Sequence, residues 1–217
     1  DTSSSMHYPR TGLSKLDYAT VAAASLSYLI KRQMDACSLA LFDQDLYHLT
    51  PAKTGSRQQQ MIVDSLEKLL DSPGMGRQTN LPKCLHELAE RLHQRSLVII
   101  FSDLPEGPDQ TEALLSALQH LRFNKHEIIL FHIIEGAREL GFEYENRPYT
   151  FEDMETGATL RLNPEEYRSV YQHQMKNYLQ FIKDKCAKYK IDLAFCDMHL
   201  APQQVLREYL VKRNKMM

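Results

Sequence analysis

The chain has 217 residues, of which 43% are hydrophobic and 25% are charged, so intrinsic disorder and collagen-like chains are excluded. Its 26 basic and 28 acidic side chains give a net charge of −2, which provides no global attraction to nucleic acid or to anionic lipid. The sequence contains neither an apolar run of the roughly eighteen residues that span a bilayer nor the apolar core of a signal peptide, so we expect a soluble chain without a membrane segment.

The first third of the chain predicts a helix, a hairpin and a second helix. Apolar side chains recur every three or four residues at Leu16, Ala19, Ala23, Leu26 and Ile30, which is the stripe of an amphipathic helix. Two short apolar runs, 37–42 and 46–50, flank Asp43-Gln44-Asp45 and predict a tight antiparallel hairpin. Ile62, Leu66 and Leu69 then mark the second helix, which a break at 72–76 ends.

The middle of the chain alternates between helices and strongly apolar strands. A third helix is predicted from Leu81, Leu85, Leu88 and Leu92, and a fourth from Leu114, Leu118 and Leu121. The runs 97–101 and 127–134 are apolar at successive positions, as strands buried on both faces of a parallel sheet must be.

The last third begins with an irregular insert at about 140–163, which reads as a small hairpin that turns at Thr156-Gly157. Pro164 opens a long helix whose core stripe is predicted at Tyr167, Tyr171, Met175, Tyr178, Ile182 and Cys186. A strand at 192–196 and a helix at 202–213 close the chain.

This alternation predicts an α/β fold with a mostly parallel central sheet, one antiparallel edge strand and helices on both faces. No linker or composition shift divides residues 1–217, so we expect a single domain. Because Asp1 leads directly into a polar segment and a helix, we expect the first central strand to lie upstream of Asp1 in a longer chain.

The cysteines and histidines carry no recognisable metal motif. Four cysteines (Cys37, Cys84, Cys186 and Cys196) are widely spaced without a CxxC pair, and we interpret them as reduced structural residues, which favours a cytoplasmic setting. His86 and His93 lack the spacing of a zincin motif and are expected on a solvated helix face. His132 lies inside an apolar strand and is expected in the core.

Three polar clusters fall where the ends of parallel strands meet. Asp1, Ser3 and Ser5 alternate before the first helix, Thr79 precedes the third helix, and Asp103 follows the strand 97–101. Hydroxyl and carboxylate oxygens without nitrogen or sulfur ligands suit a hard cation, chiefly Mg²⁺. Few direct carboxylates would leave such an ion under-neutralised, so it would attract an acidic group from outside.

These residues resemble the metal-ion-dependent adhesion site (MIDAS) of von Willebrand factor A (vWA) domains, in which D-x-S-x-S is followed by a distant Thr and then by an Asp after a strand. The resemblance implies that Ser3, Ser5 and Thr79 ligate Mg²⁺ or Mn²⁺ directly or through water. It implies that Asp1 and Asp103 hold waters and hydroxyls around the ion. The same resemblance implies a vWA or Rossmann-like three-layer sandwich.

Segments along the chain narrow the match to a bacterial vWA-like family known as domain of unknown function fifty-eight. They are MDACSLALFD (34–43), RSLVIIFSDL (95–104), YTFEDMETGATLRLNP (149–164) and IDLAFCDMHLAPQQVLREYLVKR (191–213). Members are often encoded beside MoxR-type AAA ATPases, and longer members carry N-terminal membrane segments. The resemblance implies a non-enzymatic module that binds an acidic residue of a partner protein, with a MoxR-type ATPase or its client as the partner.

Two alternatives stay open on the sequence. A metal-dependent hydrolase would need a general base near the ion, for which Asp1, Asp103 and Glu106 are the candidates. A scaffold with a vestigial metal site would keep the fold without binding metal. P-loop and GxSxG motifs are absent from the sequence, which disfavours nucleotide-binding and serine hydrolase chemistry.

An acidic patch on the hairpin, formed by Glu152, Asp153 and Glu155, is interpreted as a solvated turn. The alternative interpretation is a contact surface for a basic partner.

Overall fold

The computed structural model describes residues 1–71, 78–104 and 107–214. Its helices and strands occur in the order α1 (Lys15–Arg32), β1 (Ala40–Phe42), β2 (Leu46–Leu49), α2 (Ser56–Leu70), α3 (Leu81–Arg91), β3 (Leu97–Ser102), α4 (Pro108–Phe123), β4 (Glu127–Ile134), β5 (Tyr149–Glu152), β6 (Thr159–Leu162), α5 (Pro164–Lys188), β7 (Asp192–Asp197) and α6 (Pro202–Asn214). A short 3₁₀ turn precedes α1, and a π-helical segment follows β4. The predicted α/β class is confirmed, and the predicted break at 72–76 lies outside the described residues.

A parallel sheet of order β3–β4–β7 lies at the centre of the fold. In β4 nearly every side chain is buried, because the strand is covered on both faces and hydrogen-bonded on both edges. This confirms the predicted doubly buried strand. In β3 the predicted burial on both faces is only partly correct. Val98 and Ile100 are buried on one face, Ile99 and Phe101 are half-buried against the second core layer on the other, and Leu97 at the start is 46% exposed.

Antiparallel pairing occurs in two separate hairpins, β1–β2 and β5–β6, both of which the sequence predicts. The predicted antiparallel edge strand is not part of the β3–β4–β7 sheet in the described residues. The β1–β2 hairpin forms a separate sheet, which the first residues of the chain connect to β3. The backbone N–H of Thr2 donates to the Phe42 carbonyl over 2.8 Å, and the backbone nitrogen of Asp1 donates to the Phe101 carbonyl over 3.2 Å.

The core is divided by the central sheet into two apolar layers. On one face Val98, Ile100 and Leu130 pack against α3, α4 and α5. On the other face Ile129, Phe131 and Ile133 pack against α1 and α6. Successive residues of β4 therefore contribute to opposite layers, as the two-residue period of a strand requires. Helices on both faces are confirmed.

The long helix α5 begins at Pro164 as predicted, but its core stripe is only partly correct. Met175, Ile182 and Cys186 are buried, whereas Tyr167 is 50% exposed. Tyr171 stacks on Phe142 of the insert with ring centroids 4.4 Å apart. The first turns of α5 thus extend past the sheet and support the insert, so helical spacing alone overestimates how far the core reaches.

All four cysteines are free, and Cys84, Cys186 and Cys196 are buried among apolar side chains, which confirms their structural interpretation. His86 is half-buried instead of solvated, because its Nδ1 lies 3.0 Å from Nδ1 of His120 on α4. Among the described residues, no helix combines the length and the apolar character needed to cross a membrane.

His132 of β4 is buried, as predicted, and its Nδ1 has no hydrogen-bond partner in the described part of the chain. Burial lowers the pKa of His132 from 6.5 to about 4, since the imidazolium would lose its hydration at this position. The folded protein therefore keeps this histidine neutral in a pH range where the unfolded chain protonates it.

We expect acidification from pH 7 to pH 5 to destabilise the wild type by about 2 kcal/mol more than a His132→Gln variant. The folded-state pKa lies below the unfolded value, so protons bind preferentially to the unfolded chain and stability falls as pH drops from 6.5 towards about 4. Urea denaturation at both pH values measures the difference. His173→Gln, which removes an exposed histidine, is the matched control, and equal pH dependence in wild type and His132→Gln would contradict the prediction.

Candidate metal centre

The polar start of the chain is fixed to the carboxyl end of β3 by the carboxylate of Asp1. Its Oδ1 accepts a hydrogen bond from the backbone N–H of Ser3 over 3.0 Å, and its Oδ2 accepts one from the Ser102 hydroxyl over 2.6 Å. Both carboxylate oxygens are therefore engaged in holding the loop. Asp1 acts on the shape of the site by orienting its neighbours.

Two serine hydroxyls lie side by side at this strand end. Ser3 Oγ and Ser5 Oγ are 3.1 Å apart, and the Ser5 hydroxyl also donates to Asp103 Oδ1 over 3.3 Å. Ser3 is fully buried, whereas Ser5 is half-buried. The structure thus brings together Asp1, Ser3, Ser5 and Asp103, as the alternation of polar residues predicts.

Thr79 approaches the same site from the loop before α3. The loop is anchored to the β1–β2 hairpin by a hydrogen bond of 3.0 Å from the Asn80 N–H to the Asp43 carbonyl. The Thr79 N–H donates to Glu155 Oε2 over 3.1 Å. Its hydroxyl Oγ1 is shielded from solvent and has no hydrogen-bond partner among residues 1–71, 78–104 and 107–214.

Glu155 of the β5–β6 turn links the loops of the site, which the sequence interpretation missed. Its Oε1 lies 3.3 Å from Ser5 Oγ and shares the single hydrogen of that hydroxyl with Asp103, while its Oε2 accepts from the Thr79 N–H. The solvated-turn interpretation is correct for the exposed Glu152 and Asp153 and wrong for Glu155. Burial raises the pKa of Glu155, and the nearby Asp103 carboxylate adds to that effect, although the Thr79 N–H opposes it.

Lys15, at the start of α1, is the second residue of the site that sequence reasoning missed. Its buried ammonium lies 3.1 Å from Asp103 Oδ2 and also contacts the Glu139 carboxylate. Burial lowers the pKa of Lys15, but the attraction of the Asp103 and Glu139 carboxylates outweighs it, so the net pKa is raised. A lysine in the first turn of a helix is unfavourable because its charge opposes the helix dipole. This unusual position is the sequence signal that could have indicated a carboxylate partner for Lys15.

The site is rich in hydroxyls and poor in the ligands of transition metals. In the described part of the chain, no group of three or more His, Cys, Asp or Glu side chains could hold a metal ion. The hydroxyls of Ser3, Ser5 and Thr79 are the oxygen atoms that the predicted site offers to a cation at these strand ends. Hydroxyl oxygens suit Mg²⁺ or Mn²⁺, and the Thr79 hydroxyl, without a hydrogen-bond partner among the described residues, is a donor atom for such an ion.

A family model, described as a protein of unknown function, matches residues 1–179 and so includes the entire candidate site. The chain belongs to the DUF58 family. No curated protein and no solved structure matches the chain.

The Lys15→Met variant of this DUF58 chain is expected to lose about 3 kcal/mol of unfolding free energy, because two carboxylates would remain without their buried counterion. This value is at the low end of the usual range since Glu139 is 26% exposed. Chemical denaturation measures the loss. Lys83→Met, which breaks the exposed pair with Asp45, is the control and should have a far smaller effect. Equal losses in the two variants would contradict the assignment of Lys15 as a buried counterion.

Proposed function

We propose that this DUF58 chain is a non-enzymatic, divalent-metal-dependent protein-interaction module with a vWA-like fold. In this proposal Ser3, Ser5 and Thr79 hold Mg²⁺ or Mn²⁺ directly or through water. Asp1 and Asp103 hold the surrounding hydroxyls and waters. The Asp or Glu side chain of a partner protein completes the coordination.

The hydroxyl of Thr79, which has no hydrogen-bond partner in the described part of the chain, carries this proposal. Leaving a shielded hydroxyl without a hydrogen bond costs about 1–3 kcal/mol, so such a group usually has a partner. The Thr79 hydroxyl belongs to a loop that Glu155 connects to Ser5, since the Glu155 carboxylate contacts both Thr79 and Ser5. Ser3 Oγ lies 3.1 Å from Ser5 Oγ. A cation bound among these hydroxyls would give Thr79 the partner that it lacks.

The charges around the site support recognition of an acidic partner. Asp103 is shared between the Lys15 ammonium and the Ser5 hydroxyl, which reduces the negative charge that it offers to a cation. A bound divalent ion supplies positive charge and a coordination position for one further oxygen. The chain itself orients the hydroxyls, and the ion bound among them attracts a carboxylate from another protein.

Occupied carboxylates disfavour the hydrolase alternative. A general base needs a free carboxylate near the ion, but both oxygens of Asp1 accept hydrogen bonds, and Asp103 accepts from Ser5 and Lys15. Glu106, the third candidate base, lies outside the described residues. Asp1 and Asp103 are therefore committed to positioning the loop and to pairing with Lys15, which supports binding better than proton transfer at these two residues.

The partner that we propose is a MoxR-type AAA ATPase or a client handled with it, during complex assembly or maturation. This choice is based on the family resemblance of the sequence segments. The chemistry requires only that the partner presents an Asp or Glu side chain to the site.

Magnesium or manganese is expected to raise the thermal midpoint of the wild-type chain over its value in EDTA, and Ser3→Ala/Ser5→Ala should abolish the rise. A ligand at about a hundred times its dissociation constant adds roughly 2.7 kcal/mol. For a chain of this size, each kcal/mol moves the midpoint by about 2–4 °C. Differential scanning fluorimetry or calorimetry measures the shift.

The double serine variant also tests partner binding. Its midpoint in EDTA verifies that the fold is retained, and pull-down of a MoxR-type ATPase from the same genome should require both the metal and the two serines. An unchanged metal shift in the double variant would overturn the metal site. The same unfolding midpoint with and without metal in the folded wild type would favour the vestigial scaffold.

Thr79→Val should retain or raise the stability in EDTA but reduce the stability gained from Mg²⁺. In EDTA the variant is expected to be as stable as the wild type, or more stable by up to about 1 kcal/mol, because an unsatisfied hydroxyl is removed. With Mg²⁺ the variant should gain less stability than the wild type, since one metal ligand is missing. Thr79→Ser keeps the hydroxyl and is the matched control. A full metal shift in Thr79→Val would exclude Thr79 as a ligand.

A further inference from the structure

The turn between β5 and β6 is built to hold Glu155 in one position. Asp153 Oδ1 accepts from the Glu155 N–H over 2.8 Å, and its Oδ2 accepts from the Thr156 hydroxyl over 2.7 Å. Gly157 follows with a positive φ of 72°, which only glycine adopts without steric cost, and donates its N–H to the Asp153 carbonyl. These local bonds restrict the backbone on both sides of Glu155.

An aromatic cluster holds the whole hairpin against the rest of the fold. Phe142 stacks on Tyr171 of α5, with 4.4 Å between the ring centroids, and on Phe151 of β5, with 5.8 Å. Tyr144 contacts the edge of Phe151 with 5.1 Å between centroids. Aromatic pairs of this kind stabilise a packed surface, so the hairpin is supported from α5 and its turn projects to the candidate site.

The Glu155 carboxylate contacts two separate loops of that site. One oxygen accepts from the Ser5 hydroxyl and the other from the Thr79 N–H, over 3.3 Å and 3.1 Å. Ser5 is 150 residues away in the chain, so this contact is made by the tertiary fold and not by the local turn. A carboxylate is also the chemical group that the proposed function requires from a partner.

We infer that Glu155 is an internal ligand that occupies the carboxylate position of the metal centre. This inference depends on the proposed function, because it identifies the group that occupies the partner's coordination position on the metal ion when no partner is bound. An acidic side chain of a partner must displace Glu155, so the hairpin acts as an autoinhibitory element. The partner must therefore compete with a carboxylate that is already held in place.

Manganese binding to the 217-residue chain tests this inference through the relaxation of water protons, which reports how many water molecules contact the bound Mn²⁺. Glu155→Ala should weaken Mn²⁺ binding about tenfold, as loss of a group that supports a metal site commonly does. The relaxivity per Mn²⁺ bound to Glu155→Ala should rise, because a water molecule takes the coordination position that the Glu155 carboxylate leaves. Glu155→Gln, which removes the charge and keeps the side-chain shape, should also weaken binding.

Glu152→Ala is the matched control, because it removes an exposed carboxylate from the same hairpin and should leave Mn²⁺ affinity and relaxivity at wild-type values. Acetate, used as a carboxylate probe, should displace water from Mn²⁺ bound to Glu155→Ala at concentrations that leave the wild type unchanged.

The possible outcomes separate this inference from the proposed function. If Ser3→Ala/Ser5→Ala abolishes Mn²⁺ binding while Glu155→Ala matches the wild type in affinity, relaxivity and response to acetate, the internal ligand is overturned and the proposed function stands. If the folded wild type binds no Mn²⁺, both fail.

Discussion

The first two residues of the chain join the β1–β2 hairpin to β3 of the central sheet, and the geometry of the site depends on that connection. Hydrogen bonds from Asp1 to Phe101 and from Thr2 to Phe42 connect β3 with the β1–β2 hairpin. From there the chain continues directly into Ser3 and Ser5, so the hydroxyls start from a fixed backbone. Asp1 reinforces this by using both carboxylate oxygens within the same strand end. The position of the site therefore follows from these two backbone hydrogen bonds.

One buried ammonium and two carboxylates determine the electrostatics of the site. Asp103 lies between Lys15 on one side and the Ser5 hydroxyl on the other, which ties the site to the first turn of α1. Glu155 then adds a carboxylate from the other end of the sequence. In the proposed mechanism, the hydroxyls at this strand end hold the ion and Lys15 neutralises Asp103. The Glu155 carboxylate can then be exchanged for an acidic side chain of the partner. This connects the proposed binding activity with its control by the hairpin.

Sequence patterns predict the elements well where burial follows a regular period. The predictions for the largely apolar strand β4 and for Leu81, Leu85 and Leu88 of α3 are correct because the core covers each of these stretches along its length. The stripe of α5 is less reliable, since Tyr167 and Tyr171 belong to the part of the helix that extends past the sheet. Hydrophobic spacing indicates which face of a helix is apolar, but not how much protein covers that face.

The sequence by itself determined the order of helices and strands and the α/β class, because the hydrophobic period is a local property. The approach of Ser5 to Asp103, 98 residues away, was predicted from the rule that the carboxyl ends of parallel strands meet at one edge of a sheet. Only the tertiary structure decided that Lys15 neutralises Asp103 and that Glu155 reaches Ser5. Both contacts join side chains that are distant in the chain, and each residue alone is typical of an exposed surface. Charged side chains receive their roles from the partners that folding brings within a few ångströms, which no local pattern encodes.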